Sequence, residues 1–232
     1  MAKRSKTYRN SKEKIENRDY SLEEALTLLK EIKGSKFDES VDISMRLNVD
    51  PKYPEQMVRG TVVLPHGTGK KTRVLVIASG EKQKEAENAG ADYVGGEDIV
   101  EKIQKENWFD YDLIVTTPDM MRHVGKLGKV LGPRGLMPSP KAGTVTFNVQ
   151  QCVDEIKKGR VEFRVDKSGI INSSLGKISF DMPKIVENAA SFITSVLKAK
   201  PISLKGKYVR SAFISSTMSP SIKLSIQEFE KK

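Results

Sequence analysis

The chain has 232 residues, and its 40 Lys and Arg outnumber its 30 Asp and Glu, which gives a formal charge of +10 and a pI near 9.5. This charge favours association with nucleic acid or another anionic surface. The single cysteine, Cys152, excludes an intrachain disulfide and suits a reducing compartment. The apolar runs, such as residues 74–78, are too short to span a bilayer, and no apolar signal core opens the chain. We therefore expect a cytoplasmic protein with no membrane partner.

The first residues of the chain are strongly basic. Only Glu13 and Glu16 oppose the cations of this segment, and the pattern predicts a basic arm. The alternative is a frayed tail that only adds solubility. The cations are Lys3, Arg4, Lys6, Arg9, Lys12, Lys14 and Arg18.

A helix and two strands are predicted after the arm. Ser21 and Glu24 have the spacing of a capping box, which opens an amphipathic helix that we expect to end at Gly34. Residues 41–49 then alternate strictly between apolar and polar side chains, which predicts a strand with one buried face. A second strand is predicted over residues 57–64.

The middle of the chain follows another pattern. Residues 73–78, 91–94 and 112–116 are short, largely apolar runs, and helical stretches separate them over residues 81–89 and 97–105. A further helix is predicted to begin near Pro118. This alternation indicates a parallel sheet with right-handed crossovers. We predict a three-layer Rossmann-like α/β domain at residues 68–159.

The end of the chain returns to the first pattern. Residues 161–165 alternate, an amphipathic helix follows Pro183, and strands are predicted over residues 208–215 and 222–226. Neither end alone supplies enough elements to cover a sheet, so we predict that they combine. The predicted fold class is α/β and α+β. Residues 1–67 and 160–232 form a discontinuous two-layer α+β domain, and residues 68–159 are inserted into it.

Residues 124–140 combine four glycines, three prolines and several cations without one carboxylate. Glycine permits positive φ, and proline fixes φ and lacks an N–H donor, so we expect a shaped loop that is neither helix nor strand. Lys126, Lys129, Arg134 and the adjacent Lys141 give this segment a positive field, whose simplest counterpart is a polyanion.

The chain does not match the patterns of catalytic or metal-binding sites. Residues 66–72, HGTGKKT, look like part of a phosphate loop around Gly69 and Lys70. Such a loop needs a glycine five residues before Gly69, where Leu64 stands, and a hydroxyl directly after Lys70, where Lys71 stands. Thr72 replaces the third glycine of a dinucleotide fingerprint. His66 and His123 are far apart in sequence, and one cysteine cannot build a thiolate site. We therefore expect no enzyme, cofactor or metal.

Several motifs together resemble the bacterial large-subunit ribosomal protein L-one family, whose members form the mobile stalk beside the tRNA exit site. The similarity runs almost from end to end. The motifs are KFDESV at 36–41, VRGTVVLPHGTGK at 58–70, AGADYVGG at 89–96, the glycine- and proline-rich residues 125–140, and TMSP at 217–220.

The resemblance implies a monomer off the ribosome that binds large-subunit rRNA through its terminal domain. It also implies help in releasing deacylated tRNA from the exit site, and repression of the chain's own operon through its mRNA. The implied secondary RNA or tRNA contacts are Lys126, Lys129 and Arg134. The implied RNA-binding residues are Lys36, Phe37, Asp38, Glu39, Ser40, Lys167, Ser168, Gly169, Ser211, Thr217, Met218, Ser219 and Pro220.

Hydroxyls, backbone groups and one flat ring suit the recognition of structured RNA by shape and 2′-hydroxyls. An alternative for Phe37 is a core residue, and for residues 217–220 an ordinary β-turn. Three positions depart from the family pattern: Ser40 stands where Thr is typical, Asn172 where His is common, and Ser219 where Gly is typical. Ser219 would be strained if the turn needed positive φ.

Two rival functions remain at this stage. The first is a small α/β enzyme that uses the middle domain, for instance on a nucleotide. The second is a nonspecific basic DNA-binding protein, whose affinity would fall steeply with salt and depend little on sequence.

Overall fold

The computed structural model describes residues 5–202, 204 and 206–226. No helix in this part of the chain has the length and apolar character needed to cross a membrane. In chain order the helices are α1 (Lys6–Glu13), α2 (Leu22–Glu31), α3 (Glu81–Asn88), α4 (Glu97–Glu106), α5 (Met121–Gly125), α6 (Gly128–Leu131), α7 (Val149–Lys157) and α8 (Met182–Lys198). The strands are β1 (Ser40–Leu47), β2 (Arg59–Val63), β3 (Val74–Ile77), β4 (Tyr93–Gly95), β5 (Leu113–Thr116), β6 (Arg160–Arg164), β7 (Ile170–Lys177), β8 (Val209–Ser216) and β9 (Ile222–Leu224).

The chain divides into two compact units. The terminal unit consists of residues 1–69 and 161–232, and the inserted unit consists of residues 70–160. The predicted fold class, α/β together with α+β, is confirmed, since antiparallel and parallel sheets lie in separate parts of the chain. The predicted division into two domains, residues 1–67 with 160–232 and residues 68–159, stays a prediction.

The terminal unit is built on a four-stranded antiparallel sheet of order β7-β1-β8-β9. The alternation predicted for β1 is confirmed, because Val41, Ile43, Met45 and Leu47 are all buried. Helices α2 and α8 pack on this buried face. Strands β2 and β6 form a separate two-stranded sheet, and Phe163 of β6 stacks edge-on against Phe192 of α8.

Helix α2 begins as the sequence predicts. The Ser21 hydroxyl accepts from the Glu24 backbone, and the Glu24 carboxylate accepts from the Ser21 backbone, so both halves of the capping box are present. The predicted end at Gly34 is wrong, because α2 ends at Glu31 and the Ile32 N–H bonds back to Leu28. The chain leaves the helix a few residues before the glycine.

The basic arm is helical over Lys6–Glu13, so this part is not a frayed tail. Ser5 caps the helix by accepting from the Tyr8 N–H at 3.2 Å, and Ser11 is buried. Lys3 and Arg4 lie outside the described residues.

The inserted unit has a parallel sheet of order β4-β3-β5 with helices on both faces, as predicted. Side chains of β3 alternate between two cores, which makes three layers. One core includes Leu75, Ile77, Val100, Ile103, Val124, Leu127 and Leu131. The other includes Val74, Val76, Ala86, Val149, Val153 and Ile156.

The prediction of a loop throughout residues 124–140 is wrong at its start. Helix α5 ends at Gly125, and the short α6 covers Gly128–Leu131. Leu127 and Leu131 are buried in the core of the inserted unit, and this burial outweighs the poor helix propensity of glycine. Residues 132–139 remain non-helical, and Gly135 has φ 71°.

The first crossing between the units is held by side chains of each unit separately. In the terminal unit, the fully buried Asn188 accepts from the His66 N–H at 3.0 Å and donates to the Gly67 carbonyl at 2.9 Å. In the inserted unit, Asp112 accepts from the Lys70 ammonium at 2.8 Å and from the Arg73 N–H at 3.1 Å. These contacts lower the pKa of Asp112 to about 2.

Candidate nucleic-acid interface

Two of the predicted RNA-binding segments meet at one end of the four-stranded sheet. Ser40 opens β1 and Thr217 follows β8, its antiparallel neighbour. The Ser40 N–H donates to Thr217 Oγ1 at 3.2 Å, and the Thr217 N–H donates to the Ser40 carbonyl at the same distance. The pairing of β1 and β8 therefore brings together residues that are distant in sequence. We call residues 36–40 and 217–220 the primary surface.

Glu39 is the centre of the primary surface but is not exposed on it. Its carboxylate is fully buried and accepts from the hydroxyls of Ser35 and Ser216 and from the Met218 N–H, the last at 3.1 Å. Burial alone would raise the pKa of Glu39, but these donors outweigh it and lower the pKa below its usual value. The expected direct contact of Glu39 with RNA is therefore corrected, since this side chain holds the 217–220 turn against the 36–40 segment.

Two large apolar side chains project from this surface. Phe37 is 52% exposed and Met218 is 63% exposed. The alternative of a core position for Phe37 is excluded by this exposure. Unstacked RNA bases stack on aromatic side chains, and the exposed Phe37 ring offers such a platform.

Polar neighbours fix the backbone around Phe37. Asp38 accepts from the Ser179 N–H at 3.2 Å and from the Ser179 hydroxyl at 2.8 Å, and Lys177 donates to Ser40 Oγ at 2.9 Å. Lys36 is exposed. The contacts of Asp38 and Ser40 both lie on the C-terminal side of Phe37, so this side of the segment is fixed before any ligand binds.

Ser219 does not carry the strain considered from the sequence. The φ angle of Ser219 is not positive, so this turn does not require glycine. Its hydroxyl accepts from the Ser216 N–H at 2.9 Å and donates to the Pro220 carbonyl at 3.1 Å. Serine thus stabilises this turn through its hydroxyl, and the buried Pro220 completes the turn.

The remaining predicted contacts lie towards the other end of β1. The Lys167-Ser168-Gly169 turn precedes β7, and its Gly169 carbonyl accepts from the Leu47 N–H at 2.8 Å. Ser211 pairs with Arg46 on β1. At about 3.4 Å per residue, this end lies roughly 20 Å from Ser40. The structure therefore divides the predicted contacts into two groups at opposite ends of one strand.

The turn itself is well defined. Asp166 Oδ1 accepts from the N–H groups of Ser168 at 2.7 Å and Ile170 at 2.9 Å, and Gly169 has φ 77°. Lys167 and Ser168 are exposed while Gly169 is buried. The glycine shapes the turn, and its two neighbours face solvent.

The open face between the two groups was missed by sequence reasoning. Ser44 of β1 lies beside Asn172 of β7 and Phe213 of β8, and the Ser44 hydroxyl donates to Asn172 Oδ1 at 2.7 Å. Ser215 pairs with Asp42 on the same face. The polar residues that alternate along β1 indicated an accessible face. The residues of β7 do not alternate in the same way, so the sequence did not show that β7 extends this face.

The predicted secondary contacts lie on the inserted unit. Lys126, Lys129 and Arg134 are all exposed. The Arg134 guanidinium lies over the Phe109 ring at 3.7 Å from its centroid, and such stacking holds a cation in place while leaving donors free. Lys126 directly follows α5, and Lys129 lies within α6.

The tested catalytic motifs do not form a site among the described residues. After residues 66–72 the chain enters β3 and not a helix, so no helix N-terminus faces the glycines. Within the described ranges, no group of three or more His, Cys, Asp or Glu could hold a metal ion. Cys152 is buried, and this burial raises its pKa.

Comparison with known proteins agrees with these features. A sequence model of the Ribosomal protein L1p/L10e family matches residues 28–220. The chain is 60% identical over 230 residues to Large ribosomal subunit protein uL1 of Solibacter usitatus (strain Ellin6076), across 99% of this chain and 97% of the relative. It is 57% identical over 230 residues to the protein of the same name from Persephonella marina (strain DSM 14350 / EX-H1), across 97% of this chain and 95% of the relative. The chain therefore belongs to the Ribosomal protein L1p/L10e family.

Proposed function

We propose that this protein is a structural constituent of the large ribosomal subunit in the cytoplasm and binds large-subunit rRNA through its terminal unit. Two relatives that match nearly its whole length are named as large ribosomal subunit proteins. The observation that carries the proposal is the primary surface, where the buried Glu39 accepts from the Met218 N–H and two large side chains, Phe37 and Met218, are exposed. Family membership also sets aside the rival enzyme function, because these are ribosomal proteins.

The chemistry of the primary surface suits structured RNA. Ser40, Thr217 and the backbone near them offer hydroxyls and peptide groups, which match ribose 2′-hydroxyls and phosphates. Phe37 offers a flat ring for stacking, and the nearby cation Lys36 adds attraction to phosphate. The surface therefore combines shape recognition with modest charge.

In this proposal, the positions of the two groups of contacts determine the path of the RNA. An RNA that touches both the primary surface and the Lys167-Ser168 turn must pass along β1 for roughly 20 Å, by strand geometry. It would then cover Ser44, Asn172 and Phe213 on the open face. The proposed interface thus includes the sheet face as well as its two ends.

A finer proposal concerns the ribosomal stalk. Here the inserted unit contacts exit-site tRNA through Lys126, Lys129 and Arg134 and helps to release it. The exposed position of all three cations supports this role, as does the stacking of Arg134 on Phe109. Repression of the chain's own operon would use the primary surface, because an mRNA that resembles the rRNA site presents the same chemistry.

Filter binding to an isolated large-subunit rRNA fragment tests the main proposal. Phe37→Ala and Thr217→Val should each weaken binding by about 1–3 kcal/mol, the range for a lost stacking partner or specific contact. Phe147→Ala is the matched control, since Phe147 is 58% exposed but lies on the inserted unit. Thr217→Ser keeps the hydroxyl and should bind normally. Unchanged affinity in both test variants would discard the site.

Crosslinking and sequencing of RNA bound in cells tests the finer roles. We expect reads at one large-subunit rRNA site, a minor peak on the chain's own mRNA, and tRNA linked to the inserted unit. Loss of the mRNA peak would remove the repressor role, and loss of tRNA would remove the release role. Affinity that is steeply salt-dependent and equal for all sequences would instead favour a nonspecific nucleic-acid binder.

A further inference from the structure

Helix α1 is attached to the segment that leads into the primary surface. The buried Ser11 donates to the Ile32 carbonyl at 3.3 Å, just after α2, where helix carbonyls lack partners within the helix. One turn earlier on α1, Thr7 lies against Gly34, with Thr7 Cγ2 only 2.6 Å from where a Cβ on Gly34 would be. Gly34 therefore leaves the space that α1 needs.

This attachment brings two sets of cations together. Lys6 precedes Thr7 in α1 and Lys33 precedes Gly34, so both flank the contact, and Lys36 follows closely in the chain. Lys6, Lys33 and Lys36 are all exposed. Exposed cations therefore flank the contact between α1 and Gly34 and also lie on the segment that carries Phe37.

Few carboxylates oppose these cations. Glu13 is the only acidic residue of α1 and lies at its last position. Glu31 is exposed at the end of α2, and Asp38 is bonded to Ser179. The N-terminal part of α1, which contains Lys6 and Arg9, thus has no acidic residue.

We propose that α1 is part of the rRNA interface, where Lys6 and Arg9 bind backbone phosphates beyond the contacts made at Phe37. This inference rests on the proposed function. Its partner is the same large-subunit rRNA, because α1 contacts the segment that leads into the primary surface. Exposed Lys and Arg side chains such as these bind the phosphates of nucleic acids. The helix adds affinity and salt dependence, while the primary surface selects the RNA.

The first test removes the charges from full-length protein. Lys6→Gln with Arg9→Gln should weaken binding to the rRNA fragment about threefold to tenfold and reduce the log–log salt slope by about two, roughly one per phosphate. Lys198→Gln with Lys200→Gln removes the same charge from the α8 end of the terminal unit and should leave the slope nearly unchanged. Equal slopes for the two double variants would overturn the inference.

The second test moves the helix without changing charge. Gly34 does not have positive φ, so Gly34→Ala is strained only by its contact with Thr7. It should displace α1 and lower both the RNA affinity and the salt slope. Adding Thr7→Ser removes the methyl group that the new Cβ meets and should restore both. A Gly34→Ala protein that binds like the wild type, or a double variant with no recovery despite normal melting, would contradict the docking role.

Wild type and Phe37→Ala are measured in the same salt titrations. If the wild type does not bind the fragment, the proposed function fails and this inference fails with it. If the wild type binds and Phe37→Ala weakens binding while the α1 variants change nothing, only the role of α1 is lost.

Discussion

The two units use their sheets differently. In the inserted unit, helices bury both faces of the parallel sheet, so its cations are presented by short helices and a glycine-rich loop. In the terminal unit, α2 and α8 cover one face, and the other keeps Ser44, Asn172 and Phe213 accessible. We therefore predict that the more conspicuous cationic sequence, on the inserted unit, is not the better RNA surface. We expect the side chains fixed at the end of the open sheet to bind RNA more specifically.

The largest expected effect comes from the buried carboxylate of the terminal unit. Glu39→Ala leaves the Ser35, Ser216 and Met218 donors without their acceptor and should lower the free energy of unfolding by about 3 kcal/mol. It should also loosen Met218 and weaken rRNA binding. Chemical denaturation and filter binding measure both effects.

Glu39→Gln is the matched control. Its amide oxygen still accepts from the Met218 N–H, so most of the RNA affinity should return. An alanine variant that folds and binds RNA like the wild type would show that Glu39 does not organise the surface.

The stability difference between the wild type and Glu39→Gln should depend on pH in a defined direction. Because the pKa of Glu39 is lowered on folding, its charged form stabilises the protein above the ordinary value of 4.5, and that stability is lost as the pH falls through the lowered pKa. The stability gap between wild type and Glu39→Gln should therefore be constant near neutral pH and shrink below 4.5. Denaturation curves across this range measure it, and a gap that widens in acid would contradict the assignment.

Local signals in the sequence predicted most of the elements. The Ser21 and Glu24 pair and the alternation of residues 41–49 act over a few residues, so they could be recognised without the fold. Strand β7 was missed because its Asn-Ser-Ser stretch acquires strand structure through pairing with β1. Helix α7 was missed although its buried Val149, Cys152, Val153 and Ile156 have helical spacing.

The site was predicted in part. Exposed Phe37 and Thr217 were identified through the family resemblance, and whether they bind RNA stays a prediction. The role of Glu39 could not be read from the sequence, because its partners Ser216 and Met218 are 177 and 179 residues away. A buried carboxylate and an exposed one look alike until long-range pairing is known.

An intermediate effect should be confined to the inserted unit. Asp112→Asn weakens its bonds to Lys70 and Arg73 and should cost about 1–2 kcal/mol of stability at neutral pH. This is less than losing both bonds, each worth about 1.5–3 kcal/mol to a charged group, because the amide oxygen of Asn still accepts. Since the folded pKa is about 2, this loss should fade as the pH drops below 3.8. Binding to the rRNA fragment should be unchanged. Weaker RNA binding at unchanged stability would contradict the assignment of RNA binding to the terminal unit alone.

The smallest effect is expected at Ser219. Ser219→Gly removes two hydrogen bonds of a half-buried turn but relieves no strain, because φ there is not positive. The rRNA affinity should change by less than about 1 kcal/mol, because the two lost hydrogen bonds lie within the turn and each contributes only about 0.5–1.5 kcal/mol to its stability. Titration beside Ser219→Ala measures it. A clear gain in affinity with glycine would mean that serine obstructs close approach of the RNA.

The most direct test compares the two units in one titration of the full-length protein with the rRNA fragment. One variant carries Phe37→Ala and Thr217→Val, and the other carries Lys126→Ala, Lys129→Ala and Arg134→Ala. The first should lose most of the affinity at any salt concentration, and the second should lose little, despite its lower charge. Strong loss in the inserted-unit variant, with the terminal-unit variant binding normally, would contradict the account.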